Sequence, residues 1–224
     1  MGAKIDVYLD CVSAYSYFAI LYLLKNRKAL AEHEVEIEFH PVFLGGINVG
    51  SGNKPPWTLP NKAKHGDFDI ARAKKYFGCP KMKTPSSFPI LSLLPQRSLS
   101  YAKHNLPTEK YEKAFLEFFV AMWEQDLDLS KPELLLEVLA RVYSEAEAKE
   151  IVDAASKPDI KKMLNDTTQK ALDMGAFGCP WYLVRNARDV EEPFFGSDRF
   201  HYMWEFLGLP WRDLEILSGQ KAKI

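Results

Sequence analysis

The N-terminal part of the chain changes hydrophobic periodicity twice. Residues 4–10 alternate apolar and polar side chains, which predicts a strand with one buried face. Residues 16–31 carry apolar side chains at helical spacing without Gly or Pro, and residues 35–41 alternate again. The pattern therefore predicts a β-α-β opening, with parallel strands and a right-handed crossover as the default.

The next segment, residues 45–60, is rich in Gly, Asn, Ser and Pro, which is typical of a loop. Its glycines form neither G-x-G-x-x-G nor G-x-x-x-x-G-K-S/T, so neither a dinucleotide site nor a P-loop is indicated. We therefore expect this segment to connect elements rather than to form one.

The middle of the chain is predicted to be helical. Apolar side chains recur at helical spacing over residues 111–123 and 160–171, which indicates buried helix faces, and the second helix is predicted to end at Gly175. Residues 130–133 and 144–147 both have the Ser-x-x-Glu capping pattern, which predicts two further helix starts.

The C-terminal part returns to strands. Residues 180–185 and 190–195 flank an Asn-Ala-Arg-Asp turn, which predicts a hairpin. Ser197 and Asp198 are predicted to begin a last helix, which ends at Gly208.

The order β-α-β, helical block, β-β-α is that of a thioredoxin fold with an insertion between its halves. We therefore predict an α/β protein in which an all-helical insertion interrupts a thioredoxin-like domain. The predicted boundaries place residues 1–61 and 177–224 in the thioredoxin-like domain and residues 62–176 in the helical insertion.

Composition and charge exclude several functions. The 224 residues include 29 basic and 30 acidic side chains, a net charge of -1, which argues against a surface for nucleic acid or an anionic membrane. No apolar stretch approaches the roughly 20 residues of a membrane span, and no signal-peptide pattern is visible, so we expect an intracellular protein. Ala222-Lys223-Ile224 loosely matches a peroxisomal address, with mitochondrial and cytoplasmic locations as the alternatives.

The three cysteines, Cys11, Cys79 and Cys179, lie far apart and form no C-x-x-C pair. This spacing argues against a disulfide framework, a zinc cluster and a dithiol redox centre. The five histidines show no metal-ligand spacing, so we expect no metal.

One candidate for chemistry lies where the first strand meets the first helix. In a thioredoxin scaffold the amide groups at this point stabilise an anionic sulfur. This chain has Ser13-Ala14-Tyr15-Ser16 there in place of C-x-x-C, which excludes thiol-disulfide exchange by this motif. Ser13 can donate a hydrogen bond to the thiolate of a ligand, although a plain helix N-cap would explain the same residue.

Two later motifs add to a ligand site. Pro180 follows Cys179 and precedes a strand, where thioredoxin folds place a cis-proline whose preceding residue offers its backbone to a peptide-like ligand. A proline that merely ends a helix is the alternative. Residues 196–199, Gly-Ser-Asp-Arg, suit an α-amino acid head group, with amides for the carboxylate and Asp198 for the ammonium; an ordinary N-cap is the alternative.

Taken in order and spacing, these motifs resemble the kappa-class glutathione transferases over nearly the whole chain. That class is related to the 2-hydroxychromene-2-carboxylate isomerases and shares its fold with DsbA-type oxidoreductases. The matching segments are Asp10-x-x-Ser13-x-Tyr15-Ser16, Ser51-Gly52-Asn53-Lys54-Pro55-Pro56 with Pro60-x-Lys62, Gly175-Ala176-Phe177-Gly178-x-Pro180 and Phe195-Gly196-Ser197-Asp198-Arg199.

The resemblance implies a glutathione site in which Ser13 is the catalytic residue and hydrogen-bonds the sulfur. Two residues depart from the family pattern: Cys179 stands where an apolar residue is usual, which leaves open a mixed disulfide, and Ala14 stands where Pro is common. The other implied contacts are Ala14 and Tyr15 beside the sulfur, Asn53 and Lys62 at the glycyl end, the main chain of Cys179 at the cysteinyl backbone, and Ser197 with Asp198 at the γ-glutamyl head.

The implied activity is conjugation of glutathione to small electrophiles, a detoxification reaction, with glutathione peroxidase activity in addition. One alternative is a glutathione-dependent 2-hydroxychromene-2-carboxylate isomerase. Another is a redox-inactive thioredoxin-like module that binds peptides or proteins. The family commonly forms homodimers, so we expect a homodimer.

Overall fold

The structure, a computed structural model, describes residues 2–212. Its strands are β1 (Ala3–Leu9), β2 (Val35–Pro41), β3 (Trp181–Arg185) and β4 (Glu191–Phe195). Within the described range they form a four-stranded sheet in the order β2-β1-β3-β4. β1 and β2 are parallel, and β3 pairs antiparallel with both β1 and β4. The predicted β-α-β opening and C-terminal hairpin are confirmed.

The same range contains nine α-helices, and none of them is both long and apolar enough to cross a membrane. The helix Ala14–Glu32 connects the parallel strands, and the six helices within residues 60–173 form the predicted helical segment between β2 and β3. The division into two domains stays a prediction. The helices are α1 (Ala14–Glu32), α2 (Leu44–Ser51), α3 (Pro60–Phe77), α4 (Leu93–Asn105), α5 (Thr108–Gln125), α6 (Pro132–Leu139), α7 (Glu145–Ala154), α8 (Pro158–Asp173) and α9 (Phe200–Leu207).

The helical segment packs against the first helix. Phe119 of α5 stacks on Tyr17 of α1 with ring centroids 5.4 Å apart, and both side chains are buried. The same face of α5 buries Phe115 and Phe118, as the helical spacing predicts. These side chains share one core cluster with β1, so the core fixes the helix that begins after Ser13.

The prediction of a loop over residues 45–60 is wrong for most of the segment, because only residues 52–55 and 59 lie outside helices. α2 occupies much of the segment, and a short 3-10 helix, Pro56–Thr58, precedes α3. The glycines of α2 allow close packing: a Cβ atom at Gly45 would lie 2.5 Å from a neighbouring phenyl ring, and one at Gly50 would lie 2.6 Å from Leu172. Composition does not distinguish a glycine that permits a close contact from one that ends an element.

The helix caps agree in part with the prediction. The capping box of Ser144 and Glu147 is confirmed at the start of α7. No such box forms at α6, because Ser130 Oγ donates instead to Asp128 Oδ1, 2.6 Å away. Gly208 has a left-handed conformation and ends α9, as predicted.

Candidate functional site

Ser13 connects the two halves of the thioredoxin-like arrangement. Its side-chain oxygen accepts a hydrogen bond from the Ser16 amide at 3.2 Å, so Ser13 is the N-cap of α1. Its hydroxyl donates to the main-chain oxygen of Cys179 at 3.1 Å. The hydroxyl therefore lies at the positive end of a 19-residue helix and beside the segment predicted to offer its backbone to a ligand.

The turn that carries Ser13 is held by the helical segment. Trp123 Nε1 on α5 donates to the main-chain oxygen of Cys11 at 2.9 Å. Gln96 Nε2 on α4 donates at 2.8 Å to two main-chain oxygens, one at the end of β1 and one just after β2. Both side chains are buried, so these bonds are shielded from water and fix the course of the chain at the site.

A buried carboxylate is part of the same turn. Asp10 Oδ1 accepts from the Val12 amide at 3.0 Å. Asp10 Oδ2 accepts from the Leu44 amide at 2.8 Å and from Ser92 Oγ at 2.7 Å. Burial raises the pKa of Asp10 to about 6, although these hydrogen bonds favour the ionised form. The sequence alone assigned no role to Asp10 and did not identify Ser92 or Gln96. The one signal in the sequence was that Asp10, a polar residue, directly follows an apolar strand.

The Cys179–Pro180 peptide bond is cis, as predicted. Cys179 is buried, and burial together with the charge of Asp10 raises the pKa of its thiol well above the usual range. The pKa of the Cys11 thiol is raised for the same two reasons. Both thiols stay protonated near neutral pH, so Cys179 offers a ligand its main chain rather than a thiolate.

Ala14 and Tyr15 are the first residues of α1, directly after Ser13. The Tyr15 hydroxyl donates to Asp69 Oδ2 on α3 at 2.7 Å. Burial raises the pKa of Tyr15, and the charges of Asp69 and Asp198 add to the shift. Tyr15 therefore remains a neutral hydrogen-bond donor, and Asp198 lies close enough for its charge to act on it.

Asn53 reaches the segment that contains the cis-proline. Its Nδ2 donates to the main-chain oxygen of Phe177 at 2.6 Å, two residues before Cys179. The glycine between these residues, Gly178, permits the close approach of the Phe195 ring, because a Cβ atom there would lie 3.0 Å from that ring. The structure thus brings Asn53 to the predicted glutathione site.

The segment predicted to bind an amino acid head group follows β4. Ser197 is buried and Asp198 is exposed. The sequence predicts that the last helix begins at Ser197 and Asp198. In the structure it begins at Phe200, and Arg199 is its N-cap. The reason lies at Gly196, which has a φ of +89°. A Cβ atom at Gly196 would lie 2.7 Å from Asp198 Oδ1, so the Asp198 side chain turns back over the glycine instead of capping α9.

Lys62 is less closely tied to the other predicted residues. It lies in the first turn of α3, and its side chain is exposed. No hydrogen bond or ion pair within residues 2–212 joins that side chain to the rest of the site. A lysine at this position keeps its charge free for an anionic ligand.

A second polar cluster lies on β1 and β2. Asp6, Glu38 and His40 offer three potential metal ligands within 4.8 Å of one another. Lys4 Nζ lies 2.9 Å from Asp6 Oδ1, and Lys103 Nζ lies 2.7 Å from Glu38 Oε1. Two lysines therefore balance the two carboxylates, and the cluster is an ion-pair network.

Residues 4–208 match the DsbA-like thioredoxin domain family, and the chain belongs to that family. A 2-hydroxychromene-2-carboxylate isomerase superposes with a TM-score of 0.75 at 19% identity, covering 92% of this chain and 94% of the isomerase. The cytosolic disulfide reductase DsbM from Pseudomonas aeruginosa, solved with GSH, gives a TM-score of 0.58 at 16% identity, covering 89% of this chain and 91% of DsbM. Similarity at these identities shows the fold alone.

Sequence relatives narrow the class. The chain is 30% identical over 226 residues to glutathione S-transferase kappa 1 of Caenorhabditis elegans, covering 99% of this chain and 98% of the relative. It is 28% identical over 213 residues to glutathione S-transferase kappa 1 of Homo sapiens, covering 92% of each. Within the thioredoxin-domain proteins, the chain belongs to the kappa-class glutathione S-transferase family.

Proposed function

We propose that this protein is a glutathione transferase in which Ser13 activates the glutathione thiol for attack on small electrophiles, with peroxides as a further substrate class. The position of Ser13 carries the proposal, because its hydroxyl caps α1 and lies 3.1 Å from the Cys179 carbonyl oxygen. A donor for a thiolate and a backbone suited to a peptide-like ligand therefore lie side by side. The family to which the chain belongs supports the same activity.

The site can supply the free energy that thiol ionisation requires. A free thiol with a pKa of about 8.5 is only a few per cent ionised at neutral pH, and lowering that pKa by about two units requires about 2.7 kcal/mol. A hydrogen bond to a charged group contributes about 1.5–3 kcal/mol, and a helix N-terminus contributes about 0.3–1 kcal/mol. The Ser13 hydroxyl and the start of α1 together make the thiolate the main form, ready for nucleophilic attack.

Glutathione would replace a bond that Ser13 makes within the protein. The Ser13 hydroxyl turns from the Cys179 carbonyl to the thiolate, while its oxygen keeps the Ser16 amide. The freed Cys179 carbonyl then accepts the N–H of the cysteinyl residue of glutathione. Each polar group keeps a partner, which limits the cost of binding.

The remaining contacts complement the charges of the tripeptide. Lys62 supplies a cation for the glycyl carboxylate, with Asn53 as a hydrogen-bonding partner. Asp198 supplies an anion for the γ-glutamyl ammonium, and Ser197 lies beside it. Ala14 and Tyr15 line the sulfur.

Three aromatic side chains, Trp123, Phe88 and Trp57, form a row that favours a planar, apolar electrophile as the second substrate. Trp123, whose indole N–H donates to the Cys11 carbonyl, lies 5.5 Å from Phe88 between ring centroids. Phe88 lies 5.0 Å from Trp57, which is 45% exposed. The row leads from the turn that carries Ser13 to solvent, so an aryl group can stack there while its reactive carbon faces the thiolate.

Calorimetric titration tests the first step. We expect glutathione to bind in the micromolar to millimolar range that is typical of substrates. S-methylglutathione, which lacks the thiol, should bind without the proton release that thiolate formation causes. Failure of glutathione to bind would contradict the proposal and favour a protein-binding module.

Assays with glutathione and aryl halides, peroxides or 2-hydroxychromene-2-carboxylate test the reaction. We expect conjugation of the aryl halides, whereas isomerisation alone would favour the isomerase. Trp57→Ala should raise KM for aryl halides and leave the peroxide reaction unchanged. Trp211→Ala, which removes another exposed indole, serves as the matched control.

We also propose a homodimer and a peroxisomal location for detoxification, with mitochondrial or cytoplasmic location as the alternative. Light scattering of the purified protein tests the dimer. The C-terminal tripeptide, residues 222–224, lies outside the described residues. A fluorescent fusion with and without these residues tests the location, and an unchanged distribution would exclude the tripeptide as the address.

A further inference from the structure

The turn at Ser13 contains a buried acid that the proposed reaction does not use. The Ser13 amide donates to the main-chain oxygen of Asp10 at 3.0 Å. The Asp10 carboxylate binds donors from the turn itself, from the start of α2 and from Ser92 before α4. Asp10 is fully buried, so the carboxylate is a fixed part of the structure that would hold the thiol.

The hydroxyl of Ser92 is oriented toward this acid. It occupies the N-cap position of α4, where a serine hydroxyl normally accepts from a helix amide, but it makes no such bond. Its Oγ donates instead to Asp10 Oδ2 at 2.7 Å, and the pair is buried. The Ser92 hydroxyl is therefore oriented by Asp10 and not by its own helix.

The charge of Asp10 is not balanced by a cation. Within residues 2–212 no lysine, arginine or histidine pairs with this carboxylate. The titratable groups that sense it are the thiols of Cys11 and Cys179, whose pKa values are raised by burial and then by the Asp10 charge. A thiolate held by Ser13, next to the Cys179 main chain, would experience the same charge.

We propose that Asp10 and Ser92 control the ionisation of the bound glutathione thiol through the charge of the Asp10 carboxylate. This inference rests on the proposed function. An ionised Asp10 disfavours the thiolate, and a protonated Asp10 favours it. Conversely, the thiolate increases the proton affinity of Asp10, so in some molecules this carboxylate takes up the proton that the thiol releases. On average, fewer than one proton per bound glutathione is then released to solvent. Ser92 stabilises the ionised carboxylate and thereby limits thiolate formation.

The two groups titrate in the same pH range. Burial raises the pKa of Asp10 to about 6, which is close to the value of about 6.5 needed for an activated thiol. Two interacting acids titrate together, so the curve of the bound thiol should be broader than that of a single group. This coupling would not arise if Asp10 only held the turn in place.

The test is a pH titration of the ultraviolet thiolate absorbance at saturating glutathione. Asp10→Asn should lower the pKa of the bound thiol by about one unit. It should also narrow the titration curve of the thiolate absorbance to that of a single ionising group. Ser92→Ala removes a donor to the charged carboxylate and should shift the thiol pKa in the same direction by less. Ser98→Ala is the matched control, because Ser98 is buried in α4 and its hydroxyl has no partner within the described residues.

Ser92→Ala carries the test if Asp10→Asn does not fold. The inference is overturned if the folded variants bind glutathione with the wild-type thiol pKa and curve. It is also overturned if the thiol pKa rises, since that result would assign Asp10 a role in holding the turn. Failure of the wild-type protein to bind glutathione would instead contradict the proposed function.

Discussion

Ser13→Ala removes one hydroxyl that makes two hydrogen bonds, one from the Ser16 amide at 3.2 Å and one to the Cys179 carbonyl at 3.1 Å. With glutathione bound, the second bond would go to the thiolate, and its loss would cost about 1.5–3 kcal/mol. Each 1.4 kcal/mol raises the pKa of the bound thiol by about one unit. From a starting pKa of about 6.5, we therefore expect the thiolate fraction and kcat/KM at about pH 6.5 to fall about six- to seventyfold.

Loss of the helix cap has to be separated from loss of activation. Ser144→Ala removes the cap of α7 and should lose about 1 kcal/mol in urea denaturation. Ser13→Ala loses its cap and also leaves the buried Cys179 carbonyl without a donor, so it should lose about 1–3 kcal/mol more. Only Ser13→Ala should lose turnover. Ser13→Thr keeps a hydroxyl and should restore part of the rate.

The pH dependence of kcat/KM with an aryl halide shows whether Ser13 acts by promoting ionisation of the glutathione thiol. The deficit of Ser13→Ala should shrink above about pH 8.5, because glutathione then ionises without help. A deficit of equal size at every pH, or turnover within about a factor of two of wild type at low pH, would refute the reasoning.

Asn53→Ala should raise KM for glutathione about fivefold with little change in kcat, since it removes a hydrogen bond worth about 1 kcal/mol; an equal loss in kcat would exclude a pure binding role. Burial by itself would raise the pKa of Glu38, but hydrogen bonds from Lys103 and a second lysine outweigh it and lower the pKa to about 2. This stabilisation is complete above about pH 4.5 and is lost as the pH falls through about 2, so Glu38→Gln should lower the urea midpoint at neutral pH but not near pH 2. A difference in urea midpoint between Glu38→Gln and wild type that is the same at both pH values would contradict this prediction. Gly178→Ala would place a Cβ atom 3.0 Å from the Phe195 ring and should cost about 1–3 kcal/mol of stability; unchanged thermal unfolding would show that the ring yields freely.

Much of the fold follows from hydrophobic periodicity. The observed bounds of β2, Val35–Pro41, equal the predicted ones, because a strand with one buried face alternates at every second residue. α2 was not predicted because its glycines indicate a loop by composition. In the structure Gly46 and Gly50 bring the helix against α8, whereas Gly45 accommodates the ring of the preceding N-cap residue. The packing of α2 on α8 depends on contacts between segments that are distant in sequence.

The candidate site was predictable where it depends on motifs at a fixed place in the fold. Ser13 and the cis bond before Pro180 belong to this group. The residues that hold the turn do not, because Ser92 lies 82 residues from Asp10 and Trp123 lies 112 residues from Cys11. In sequence they look like ordinary helix residues, and only the packed structure shows that they bind the turn.

A crystal structure with glutathione bound tests the central claim most directly. We expect the sulfur within about 3.5 Å of Ser13 Oγ, with the cysteinyl N–H of glutathione donating to the Cys179 carbonyl. Glutathione bound at another place, or bound there with its sulfur directed away from Ser13, would contradict the account.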